Sequence, residues 1–86
     1  MADVTCPLTF EDWHTLLSHK TLPPTLRTIL EDPARTVELD HGYEIDWPEA
    51  EARSLLAHAE SHDIPVAVAL RKELAGFERR QREGGR

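Results

Sequence analysis

In RTVELDHGYEIDW, Arg35 to Trp47, the spacing of apolar residues changes from helical to every second residue. Val37 and Leu39 alternate with charged neighbours, and Tyr43, Ile45 and Trp47 do the same, as strands with one buried face do. A two-residue loop at His41-Gly42 sets Leu39 against Glu44 and Glu38 against Ile45, which mixes the faces. A three-residue loop, Asp40-His41-Gly42, sets Leu39 against Tyr43 and Val37 against Ile45, with Gly42 at the position that takes a left-handed backbone. The second register is the expectation. It puts Glu38 opposite Glu44 and Thr36 opposite Asp46 on the outer face, with Asp40 at the turn. Like charges across a strand pair are mildly destabilising. A basic partner surface would relieve them, which makes Glu38, Asp40, Glu44 and Asp46 candidate partner-binding residues.

Working outward, helices are expected on both sides. In LTFEDW, Thr9 caps a helix from Phe10, Asp12 closes a capping box and Leu8 staples against Trp13; Phe10, Trp13, Leu16 and Leu17 form its apolar stripe. Pro24 starts a short second helix that stops ahead of Pro33. Beyond the hairpin, Asp46 and Glu49 suggest a second capping box before PEAEARSLLAHAESH, which is rich in good helix formers. In IPVAVALRKELAGFERRQ, Ile64, Val66, Val68 and Leu70 alternate like a strand, while Ala67, Leu70, Leu74 and Phe77 repeat at helical spacing. Nothing between Val66 and Leu74 could turn a strand into a helix, so one helix from about Ile64, capped by Asp63, is expected. The fold class is therefore α+β, a mostly helical single domain over 1–83 in the order α-α-β-hairpin-α-α, with a flexible tail at 84–86. The segment before Thr9 is expected to be loose and its Cys6 an ordinary thiol.

Eighty-six residues make one small domain whose stability is marginal or shared with a second subunit. A lone cysteine excludes an internal disulfide, and a start without basic and apolar regions, with no long apolar run elsewhere, reads as cytoplasmic. Net charge is −6, unevenly placed: residues 1–70 carry thirteen Asp and Glu against four Lys and Arg, residues 71–86 three against six. An acidic body repels phosphate backbones, which disfavours nucleic acid as a partner.

No catalytic set can be assembled, so a non-enzyme without cofactor is expected. His58 and His62, four residues apart, leave the same helical face at a spacing used in zinc sites, but no third ligand is implied. Both are expected to serve the helix C-terminus, and no metal ligands are assigned. His14, His19 and His41 are read as isolated. The last helix is expected to outrun the core, leaving Leu74, Phe77 and Arg80 to meet another chain. The chain thus reads as a small accessory or regulatory protein that binds another protein and self-associates. Its helix, tight turn and helix at 62–65 resemble helix-turn-helix domains in topology alone. That implies a DNA-binding regulator as the alternative, although Ile64 to Leu70, where base-reading side chains belong, is apolar.

Overall fold

The computed structural model describes residues 3–84. Four α-helices and a three-stranded antiparallel sheet form an α+β domain with strand order β1-β3-β2. The elements are β1 (Asp3–Thr9), α1 (Phe10–Ser18), α2 (Pro24–Leu30), β2 (Thr36–Leu39), β3 (Gly42–Pro48), α3 (Glu49–Ser61) and α4 (Val66–Gly84), with a short 3-10 turn at Pro33–Arg35. A strand therefore precedes the expected order. Val4, Cys6 and Leu8 alternate with exposed Asp3, Thr5, Pro7 and Thr9, so the segment expected to be loose is a strand with one buried face. Pro7, which cannot donate to a ladder, is tolerated because β1 lies at the sheet edge. Of the expected tail, Gly84 ends α4, and 85–86 lie outside the described residues.

The hairpin register also differs from expectation. Leu39 pairs with Gly42, Glu38 with Tyr43, Val37 with Glu44 and Thr36 with Ile45, so the loop is the two residues Asp40-His41. A slip of one residue exchanges faces. Val37 and Leu39 accordingly point away from the core and are 58% and 41% exposed. Gly42 does not have a positive φ. Its small size serves another purpose: a Cβ there would lie 2.0 Å from the Leu8 carbonyl oxygen and 2.8 Å from Thr9 Cα. Only glycine lets the end of β1 come this close to β3.

The buried sheet face, with Val4, Cys6, Leu8, Ile45 and Trp47, is covered by the helices through Leu16, Leu26, Leu55, Leu70 and Leu74. Thr9 caps α1 as expected, accepting from the Asp12 backbone N–H at 3.1 Å. Trp13 Nε1 donates to the Leu30 carbonyl at 3.0 Å and fastens α1 to the end of α2. The second capping box does not form. Pro48 precedes α3 with no side-chain cap, while Asp46 remains in β3 and accepts from Thr5 Oγ1 at 2.7 Å.

α3 ends in a Schellman turn. The Ile64 N–H reaches the Ala59 carbonyl at 2.9 Å and the Asp63 N–H the Glu60 carbonyl at 3.4 Å, with Asp63 at φ 54 in the position glycine usually takes. Ile64 is buried in that turn rather than helical, so α4 starts at Val66 and the residues over 66–70 are helical, not extended.

The two internal glycines are expected to respond oppositely to alanine. Gly42→Ala should destabilise by at least about 2 kcal/mol, because only backbone atoms stand in the way of its methyl group. Gly76→Ala, whose methyl would meet Arg80 Nη1 at an ordinary 3.5 Å inside α4, should stabilise by about 0.5–1 kcal/mol. Urea midpoints at unchanged slope measure both; equal effects would contradict the β1–β3 packing.

Candidate functional site

A cleft of about 720 Å³ opens where the hairpin tip, the end of β1 and the start of α4 meet. Leu8, Tyr43, Val66 and Ala69 give it apolar walls, and Leu39 and Pro65 flank it. Three carboxylates line it as well, Asp12, Glu38 and Asp40, and no Lys or Arg does so among the described residues. β2 forms one side and is a sheet edge, so the backbone groups on its outer side have no strand partner within the sheet.

Asp12 is the buried carboxylate of the set, 7% exposed at the first turn of α1. Desolvation and the neighbouring Glu11 charge push its pKa up, while a hydrogen bond with the Val66 backbone N–H pulls the other way. Cys6, buried in β1, has its thiol pushed up to about 12 by burial and then by the Glu73 charge, which keeps it protonated and a poor nucleophile near neutral pH.

The residues proposed from sequence separate into three places. Glu38 and Asp40 line the cleft. Glu44 and Asp46 lie on the opposite, open face of the sheet, and Glu44 faces Val37 rather than Glu38, so the expected ladder of like charges does not exist. Asp46 is engaged by Thr5, and its carbonyl accepts from Arg35 Nη1 at 3.2 Å. Leu74 and Phe77, expected at a contact between chains, are 3% and 5% exposed and belong to this chain's own core, because β1 and α3 extend the surface that α4 packs against. Arg80 is exposed on α4. Among the other cations, Arg53 pairs with Glu49 at 2.7 Å and Glu78 at 3.2 Å, and Arg71 with Glu60 at 2.6 Å.

His19 is not isolated. It caps the end of α1, and its Nδ1 lies 3.3 Å from His58 Nε2 in the last turn of α3, with His62, the α3 cap, close to both rings. Burial, then His62 and His19, lower the His58 pKa. The spacing of His58 and His62 showed two members of this cluster. The third comes from a helix end 39 residues earlier, which spacing along the chain cannot reveal. The lining residues Leu8, Val66 and Ala69 were also missed, since the cleft depends on an unexpected strand and on where α4 begins.

No family model, curated protein or solved structure matches the chain.

Truncation of Phe77 tests its placement. Phe77→Ala should destabilise the protein by about 3–5 kcal/mol, enough to leave a domain of this size largely unfolded. Denaturant melts followed by circular dichroism measure this; a fully folded variant whose only change is in sedimentation would return Phe77 to an interface.

Proposed function

We propose that this is a small accessory or regulatory protein without enzymatic activity, and that it acts by holding a segment of another protein in the cleft at the hairpin tip. The observation that carries the reading is the pairing of apolar walls with Asp12, Glu38 and Asp40, uncompensated by any Lys or Arg lining the cleft. Such a site suits an extended segment that places an apolar side chain between Leu39 and Val66 and a Lys or Arg beside the carboxylates. The free edge of β2 supports the same mode, because its unpaired backbone groups can receive a strand. Leu39, 41% exposed at the rim of the cleft, adds apolar surface there. DNA binding is less favoured: Arg53 and Arg71 are already paired with Glu49, Glu78 and Glu60.

Panning a random displayed-peptide library against the immobilised protein tests this. Enriched peptides should share an apolar residue next to Lys or Arg. Their binding should fall at least about tenfold in the Glu38→Lys/Asp40→Lys variant at unchanged Tm, as expected when 1.4 kcal/mol or more of interaction is lost. Amide shifts on binding should centre on Leu39, Tyr43, Val66 and Ala69. Enrichment of acidic peptides, or shifts centred on the far end of α4, would overturn the reading.

A further inference from the structure

We infer that His19, His58 and His62 form a binding site for a divalent transition-metal ion of the zinc class. Each side chain offers a ring nitrogen, and one such atom from each lies within 4.8 Å of the others. Tetrahedral coordination with metal–nitrogen bonds of 2.0–2.1 Å puts neighbouring donors about 3.3–3.4 Å apart. His19 Nδ1 and His58 Nε2 are already separated by 3.3 Å, so one edge of that tetrahedron is in place. Ring centroids 4.6 Å apart for His19 and His62, and 4.5 Å for His58 and His62, leave only small side-chain rotations to bring in the third donor.

The backbone beneath these rings is fixed by interactions that do not involve them. The His19 N–H closes on the Leu16 carbonyl at 3.2 Å, and Arg27 Nη2 donates to the Leu17 carbonyl at 2.9 Å and the His19 carbonyl at 3.4 Å, which holds the end of α1. The His62 N–H closes on the His58 carbonyl at 3.2 Å, and the Schellman turn anchored by buried Ile64 follows directly. A site on preset helix ends loses little conformational freedom on binding. Thr21 Oγ1, 3.2 Å from His62 Nε2, is placed to orient that ring.

The electrostatics favour a cation carried by neutral ligands. The C-termini of α1 and α3 converge on the cluster; the last carbonyls of α3 carry partial negative charge, while those of α1 are offset by the Arg27 guanidinium that binds the Leu17 and His19 carbonyls. Three adjacent imidazoles repel one another when protonated, whereas a metal ion uses the lone pairs of all three in neutral form. Three nitrogen donors without carboxylate select zinc, copper, nickel or cobalt over calcium and magnesium. Three protein ligands leave a fourth position for water or a donor from another molecule.

The inference does not rest on the cleft. Cobalt(II), titrated into protein purified without a histidine tag, is the direct probe. One equivalent should bind and give the visible absorption of tetrahedral cobalt, and zinc(II) should displace it. His62→Ala, at an exposed position, should retain the fold by circular dichroism and weaken zinc binding by at least about a hundredfold, as should His19→Ala. His14→Ala should leave it unchanged. Imidazole nitrogen shifts on zinc addition should move for His19, His58 and His62 alone. Absence of saturable binding, or binding that survives both His19→Ala and His62→Ala, would overturn the assignment.

Discussion

The close contact between Gly42 and the Leu8 carbonyl is the constraint on which the rest of the molecule depends. With no side chain at Gly42, β1 can lie flat along β3 from Asp3↔Pro48 to Thr9↔Gly42. That register puts Val4, Cys6 and Leu8 on the same face as Ile45 and Trp47, making a floor on which α1, α3 and α4 pack. It also makes β3 the central strand and leaves β2 as a free edge. The helices cover one face, and the other retains Thr5, Pro7, Val37, Glu44 and Asp46.

α1 links the cleft and the histidine cluster. Its N-cap Thr9 and first-turn Asp12 line the cleft, and its C-cap His19 belongs to the histidine cluster. Nine residues of helix rise about 13–14 Å, so the two features stand roughly a helix length apart on one rigid element. The turn from α3 to α4 makes a second connection: His62 belongs to the cluster, and Pro65 and Val66 border the cleft. Both features are built where helices start or stop, where unsatisfied backbone groups and exposed side chains occur together.

The helices were largely legible in the sequence because their signals are local: the Thr9 cap, Pro24 at the start of α2, the Ala, Glu and Leu of α3, and the lack of a breaker in α4. β1 could have been read from Val4, Cys6 and Leu8, but it has few residues before the helix and contains Pro7. The register was missed for a physical reason. Matching apolar with apolar assumes that both strands of a hairpin bury their apolar face, whereas β2 is an edge strand whose Val37 and Leu39 lie on the open side. Phe77 lies inside the core because β1 widens the surface that α4 covers, and the spacing along α4 alone does not show that. The candidate sites were least legible, since the cleft and the third histidine join elements far apart along the chain and only the folded molecule brings them together.

The fold depends on the register of β3 with both neighbours, and cross-strand proton contacts report that register directly. A nuclear Overhauser spectrum of isotopically labelled protein should show backbone contacts joining Thr36 to Ile45, Val37 to Glu44 and Glu38 to Tyr43 across β2 and β3. It should also join Cys6 to Ile45 and Leu8 to Tyr43 across β1 and β3. Contacts pairing Val37 with Ile45 and Leu39 with Tyr43 instead, or a β1 without cross-strand contacts, would contradict it.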